Sequence, residues 1–390
     1  MCAAHALLSA SSSHRWLHCT GAPRLEEKFP DTTSVYAKEG TLAHELCELK
    51  LKKYTTAMAK ATYTRTYNKI KKHELWQGEM DETTETYLDY VKGIMLSYPV
   101  APVVVIEKRV DFSAYVPEGF GTADCIILAG DTLHVIDYKH GKGVVVDADH
   151  NPQMMLYALG AMHDYSLLYQ FKTVKMTIVQ PRVNNISEFE MSTDELRKWG
   201  EEVVKAKAQE AYAEDGHHFE AGSWCGFCRA RAQCKTRCEH YDAMYVYATE
   251  HQDPRLINLE DLSTFLKHGQ DIEAWVKDLK EFALSESLAG AEVPGWKAVE
   301  GRGSRVFQDG EVAIQTLIDK GVDESILYER KVLSLAQIEK AIGKKEFNDI
   351  VGDQVVKNPG KPTLVVDTDK RPRITNTPSA AQVFNTNGGN

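Results

Sequence analysis

Asp137 and Lys139, two residues apart at the end of the apolar run TLHVIDYK, are a pair whose types could do chemistry. Period-two alternation along a strand sends both to one side, with Ile136 and Tyr138 on the other. A second acid, Asp124, lies in FGTADCIIL between small residues that leave its carboxylate room to face a cation. If the two runs pair as strands, Asp124 and Asp137 converge on one ion with Lys139 beside it. Hard oxygen ligands suit Mg²⁺ or Mn²⁺, which keep waters for chemistry. Such an ion polarises a phosphate and lowers the pKa of a bound water. The lysine would orient that water or offset charge developing in the transition state. His44, in EGTLAHELCELK, can add a nitrogen ligand of the kind Mn²⁺ accepts.

The chain has eight cysteines. Cys2, Cys19, Cys47 and Cys125 are scattered, and of these Cys2, Cys47 and Cys125 read as ordinary residues, whereas Cys225, Cys228, Cys234 and Cys238 crowd into WCGFCRARAQCKTRC. Without an export signal such crowding points to a metal site more than to disulfides. Read locally, the four thiolates form a structural zinc knuckle. Arg229, Arg231, Lys235 and Arg237 in the same stretch are either a solvated surface or a phosphate-contacting patch. Trp16, Tyr138 and Trp224 read first as core, with base stacking as the rarer alternative.

The elements that must position these residues follow from pattern. Residues 1–55 read as helical, with a start at Ser11–His14 and with Leu42, Leu46, Leu49 and Tyr54 on one face. A second helix is predicted near 81–96. The period then changes. Val103–Phe112, Phe120–Leu128 and Thr132–Lys139 are rich in β-branched residues and separated by turn signals, the pattern of a three-stranded meander. A helix is predicted over 151–163, with Pro152 in its first turn, then a strand over 174–179. A long helix over 193–214 should open with Ser192 and Glu195 as a capping box. Further helices are predicted near 259–287 and 333–350. The Pro-, Thr- and Asn-rich end from Asn358 reads as a disordered tail. The order helix, three strands, helix, strand is that of a mixed α/β core.

With 390 residues, 43% of them hydrophobic and 26% charged, the composition is that of a globular protein. The net charge of −10 argues against a surface coated in positive charge, but leaves room for a local basic surface. No run is long and apolar enough for a membrane span. The N-terminus lacks the basic segment that opens a signal peptide, so a cytoplasmic location is expected. GKPT at Gly360 lacks the leading glycine of a phosphate-binding loop, so no built-in ATP-driven motor is expected.

The ordered set Gly40, His44 and Glu48, then Gly121 and Asp124, then Asp137 and Lys139, then Gln153 and Tyr157 resembles the motifs of RecB-like PD-(D/E)XK nucleases. Similar sets occur in AddB-type and CRISPR-associated four-cysteine exonucleases. The resemblance implies a restriction-endonuclease-like mixed sheet flanked by helices, with helical N- and C-terminal additions. In it His44, Asp124 and Asp137 would bind Mg²⁺ or Mn²⁺, and Lys139 would be catalytic. Gln153 and Tyr157 would contact the DNA strand or support the site, and Glu48 would be a supporting residue. In the cluster-bearing branch, one upstream and three downstream cysteines hold [4Fe–4S], which carries over to Cys19 (in RWLHCTG), Cys225, Cys228 and Cys234, with Zn²⁺ at the four local cysteines as the alternative. Cys238 is then a spare thiol or a substitute ligand. The implied organisation is a helical segment over 1–100, a nuclease core with the cysteine region over 101–245, a helical region over 246–357 and the tail over 358–390. The C-terminal part resembles a phage-encoded branch. That implies a DNA exonuclease acting on single strands or on duplex ends in phage recombination or replication, beside a single-strand annealing or recombination protein. The competing expectations are a catalytically silent DNA-binding accessory and a zinc-bearing structural protein.

Overall fold

The structure is a computed structural model of the chain. It describes residues 6–30, 35–215, 217–241, 259–299, 310–320, 327, 343–351 and 355. The chain forms two compact units, Met1–Val299 and Glu300–Asn390.

The first unit is built on one five-stranded sheet: β1 (Val103–Asp111), β2 (Phe120–Ala129), β3 (Thr132–Tyr138), β4 (Thr173–Gln180) and β5 (Asn185–Ser192), in that spatial order. All neighbours pair antiparallel except β3 and β4, which run parallel. A parallel pair needs a crossover, and α6 (Pro152–Asp164) supplies it. Asn151 caps that helix, its side chain accepting from the backbone N–H of Gln153 and Met154, with Pro152 in the first turn.

Each sheet face buries a different set of helices. Ile126, Leu128, Leu133, Val135, Met176 and Ile178 pack under α6 in the main core, which also takes in Trp16. The alternate residues Cys125, Ile127, Ile136, Tyr138 and Val179 face α3 (Val35–Thr55) and α5 (Glu79–Ser97). Two faces buried by two helical layers make the mixed α/β core that the residue pattern implied, in the restriction-endonuclease-like form that the motif resemblance implied.

The helix α3 is buried on two sides. Ala43, Cys47 and Leu51 meet the sheet, while Leu42, Leu46 and Leu49 meet α4 (Lys60–Lys71) through Ile70. Tyr54 does not continue that second face as expected; it is exposed at the helix end, with Lys92 Nζ over its ring at 5.3 Å. The N-terminal stretch is broken into α1 (Ser13–His18) and α2 (Ala22–Glu26) ahead of α3, where Gly21 and Pro23 interrupt the helical pattern.

The expected long helix after β5 is α7 (Thr193–Trp199) and α8 (Lys205–Tyr212), joined by a π-helical turn over Gly200–Val204. Its capping box is present, with Ser192 and Glu195 exchanging hydrogen bonds. A Cβ on Gly200 would lie 2.7 Å from the Tyr115 ring, so the glycine admits that ring. α9 (Leu259–Leu288) is the last described helix of this unit. In the second unit α10 (Gly310–Asp319) and α11 (Lys344–Val351) are described. The helix predicted from residue 333 falls within them only over α11, and the tail expected from Asn358 lies outside the described residues. None of the described helices is long and apolar enough to cross a membrane.

Candidate active site

Strand alternation puts Asp124, Asp137 and Lys139 on the α6 face of the sheet, where the ends of β2 and β3 meet the first turn of α6. Asp124 is fixed at both oxygens. Oδ1 lies 3.2 Å from His44 Nδ1, and Oδ2 accepts from the Tyr138 backbone N–H at 2.7 Å. Asp137 turns to Lys139, whose Nζ is 2.9 Å from Oδ2, although that buried oxygen takes no hydrogen bond in good geometry. The same Nζ donates to Gln153 Oε1 at 2.9 Å. The Gln153 amide donates in turn to Asp137 Oδ1 at 3.2 Å and to the Tyr157 hydroxyl at 3.1 Å. One side chain in the first turn of α6 thus holds both members of the D-x-K pair.

The backbone provides for Tyr157. A Cβ on Gly121 would sit 2.6 Å from Cε1 of its ring, so only a glycine lets Tyr157 stand over β2 at this point. Gly121→Ala is expected to lower stability by about 1–3 kcal/mol through overpacking. Thermal unfolding checks this, and an unchanged midpoint would show that the ring moves aside freely.

A third carboxylate joins the site. Ligand atoms of His44, Glu107 and Asp124 all lie within 4.8 Å of one another. Glu107 sits in β1 opposite Asp124 at a gap in the ladder between Ile106↔Cys125 and Lys108↔Ala123, with φ of 49°. A non-glycine residue in the left-handed region inside a strand is strained, and such strain gathers at functional positions. Burial and the neighbouring Asp124 push the Glu107 pKa up to about 7. Burial opposes charge on His44, yet the Asp124 carboxylate outweighs it and holds the imidazole pKa at about 9. Against its own burial, Asp124 is held below the usual carboxylate range by His44, the Tyr138 N–H and Lys139. Burial raises Asp137, with Lys139 opposing. Three carboxylates around two internal cations are a donor set that fits a hard divalent ion.

Behind the site, His140 Nε2 lies 3.0 Å from buried Glu39, which also takes Arg182 at 2.9 Å, while His140 Nδ1 is 3.0 Å from the Tyr138 hydroxyl. This bracket ties the start of α3 to the end of β3, where His44 and Lys139 originate. Glu48 pairs with Lys52 on its own helix.

The cysteines divide as well. Cys19, Cys225, Cys228 and Cys234 line one small cavity together with Arg15, Arg231 and Arg237, and Cys238 is not among the lining residues. Arg15 binds Glu26 at 2.9 Å and donates to the Phe227 carbonyl at 3.0 Å, and Glu26 accepts from the Arg229 N–H at 2.8 Å. Thus the N-terminal helices hold the cysteine loop in place. Among the described residues no three cysteine sulfurs come within 4.8 Å of one another. Cys47 and Cys125 are core residues; Cys2 lies outside the described residues.

Arg231 and Arg237 lie 2.9 and 2.6 Å from Asp278 on α9, and Lys235 is 3.4 Å from Glu239. Trp16 and Tyr138 are fully buried core residues, while Trp224 is half-buried and stacks on His18 at 4.1 Å.

The structure sets His44, Asp124, Asp137, Lys139, Gln153 and Tyr157, all singled out from the sequence, in one connected group. The sequence reading passed over Glu107, His140 and Arg182. Only Glu107 carried a signal, as an acid in the middle of the apolar run VVVIEKRV.

Over residues 5–372 the chain matches the family described as "Protein of unknown function (DUF2800)", and it belongs to that family. Among solved structures it is similar in part to LHK-Exo in complex with dAMP, at 13% identity and a TM-score of 0.24, over 44% of this chain and 92% of that one. It is also similar to SSO0001, at 14% identity and a TM-score of 0.23, over 49% of this chain and 95% of that one. At these scores neither likeness bears on what the chain does.

Proposed function

We propose that the chain is a metal-dependent phosphodiesterase of the RecB-like PD-(D/E)XK type that acts on DNA as an exonuclease. The observation that carries the reading is the convergence of His44, Glu107, Asp124, Asp137 and Lys139 at one end of the sheet, with Gln153 coupling the last two.

Mg²⁺ or Mn²⁺ would be held by His44, Asp124 and Asp137, with Glu107 beside them, and supplies Lewis acidity toward a phosphate and an acidified water. Lys139 stays protonated, because Asp137 outweighs the burial that would discharge it. Its Nζ presents positive charge where a phosphate gains negative charge during attack, and a preorganised donor there needs no rearrangement. Gln153 keeps that Nζ and the Asp137 carboxylate in register, and Tyr157 fixes Gln153. At the cysteine cavity the reading is a [4Fe–4S] cluster on Cys19, Cys225, Cys228 and Cys234, supported by their lining one cavity together with Arg15, Arg231 and Arg237. Resection of DNA ends in phage recombination, beside an annealing protein, completes the reading on the motif resemblance alone.

The test is degradation of end-labelled linear DNA, single- and double-stranded, with Mn²⁺ or Mg²⁺, using protein purified without oxygen. Metal-dependent loss of label supports the reading. A folded protein that leaves both substrates intact with either ion overturns it in favour of a silent accessory.

The site's own titration gives a second expectation. A metal must displace the His44 proton below about pH 9 and the Glu107 proton below about pH 7. Mn²⁺ affinity should therefore rise with pH, by up to about tenfold per unit for each proton released, and steepest below neutrality. The metal-free fold behaves oppositely. Since the His44 pKa is raised from 6.5 to about 9, charged His44 stabilises the fold fully below about pH 6.5, and that contribution fades as pH rises through 9. Calorimetric Mn²⁺ titrations and metal-free melts from pH 6 to 9 check both; a pH-independent affinity would remove His44 and Glu107 from the metal site.

A further inference from the structure

We infer that the loop joining Lys139 to Gln153 is a preformed DNA-end contact, in which Lys142 takes a phosphate and Val144 and Val145 press against the adjoining nucleobase. The inference rests on the reading of the site as a DNA phosphodiesterase and names the part of it that grips substrate.

The loop runs directly between two residues of the site, and its backbone is held by buried polar side chains from the strands beyond. Gln180, 1% exposed, donates from Nε2 to the Gly141 carbonyl at 2.7 Å and the Val144 carbonyl at 2.8 Å, and its Oε1 accepts from the Val146 N–H at 3.1 Å. Buried Asn185 donates to the Val146 carbonyl at 2.8 Å. Ser187 Oγ accepts from the Ala148 N–H at 2.9 Å. Asn151 donates to the Asp147 carbonyl at 2.9 Å while capping α6. Buried amides spent on a surface loop satisfy its backbone groups one by one, which fixes the loop's shape before any ligand arrives.

What this rigid loop displays is unusual for a solvated turn. Val144 and Val145 are 59% and 60% exposed. Lys142 stands next to them between two glycines and makes no ion pair among the described residues. A mobile loop could fold adjacent valines inward, but the Gln180 contacts on either side of Val145 hold them out. A cation followed by a stiff apolar tip matches a nucleic-acid end, which offers a phosphate next to an apolar base face. Apolar side chains inserted at a base step unstack it, and each phosphate met by a lysine releases counterions.

The experiment uses full-length Lys139→Ala protein, so that binding is read without cleavage, and single-stranded and duplex DNA carrying 2-aminopurine as the terminal base. The expected result is a fluorescence rise on binding, from unstacking of that base, which is lost when Val144→Ser and Val145→Ser are added. Lys142→Ala should leave the rise in place and make the salt dependence of log Kd shallower by about 0.7 for single strands or 0.9 for duplex. Gln180→Glu, which keeps the acceptor but cannot donate to both carbonyls, should reduce the rise although the valines are intact. If the Lys139→Ala protein binds DNA and all three sets of variants behave like it, the loop does not touch DNA and the inference is overturned alone. If that protein binds no DNA and the parent cleaves none, the functional reading fails with it.

Discussion

A Lys139→Ala protein is expected to lose metal-dependent DNA cleavage by about 10²–10³-fold, the scale of removing one preorganised charge-stabilising donor. Mn²⁺ binding should survive, since His44, Asp124 and Glu107 lie on other elements. Removing the lysine has a second consequence. Asp137 is buried, and its Oδ2 has Nζ as its near partner at 2.9 Å. The metal-free variant should lose about 2 kcal/mol, less than the ~3–5 of a fully buried broken pair, because the Lys139 side chain is 26% exposed. Added Mn²⁺ should then raise the melting temperature of the variant more than that of the parent, since the ion supplies the charge the lysine gave. Cleavage rates and melts with and without Mn²⁺ read both effects. Unaltered cleavage by the variant would remove Lys139 from the chemistry.

Cys228→Ala is the second large effect expected. It should abolish absorbance near ~400 nm from iron–sulfur charge transfer. Tying Cys19 to the downstream cysteines closes a loop of about 200 residues, and cross-links closing loops of ~100 residues or more contribute about 4–5 kcal/mol by the chain-entropy argument. A loss of that order is expected by thermal unfolding under anaerobic conditions. Activity should fall too, although no residue of the site is altered. Trp16, three residues before Cys19, packs in the same core as Met154 and Tyr157 of α6. Loosening α1 therefore reaches the helix that carries Gln153. A variant without colour but with full stability and activity would contradict this coupling.

Much of the site was legible because its signals are local. Alternation alone placed Asp137 and Lys139 on one side with Ile136 and Tyr138 on the other, and the two sets do face different helical layers. The capping box at Ser192 and Glu195 and the Asn151–Pro152 start of α6 are also short-range features. What escaped is set by distance in the chain. Glu107 matters through its register opposite Asp124, which no window around residue 107 contains. The pairing of Arg231 and Arg237 was not legible because their partner, Asp278, lies on a helix some forty residues downstream. The strand β5 was missed because NISEFEMS is an edge strand in which polar residues outnumber apolar ones and Ile186, Glu188 and Glu190 are exposed. α4 was missed because its buried face is short, Ile70 with the half-buried Tyr63 and Tyr67.

Glu107 has one more effect, on how copies of this molecule meet. β1 lies at the margin of the sheet, and such a margin is a template for strands of other molecules and so for aggregation. At Glu107 the backbone leaves the extended conformation, and the next residue is Lys108. A foreign strand laid along β1 would find its ladder interrupted midway and a lysine at the break. The distortion that sets Glu107 beside Asp124 thereby also makes β1 a poorer template for a foreign strand.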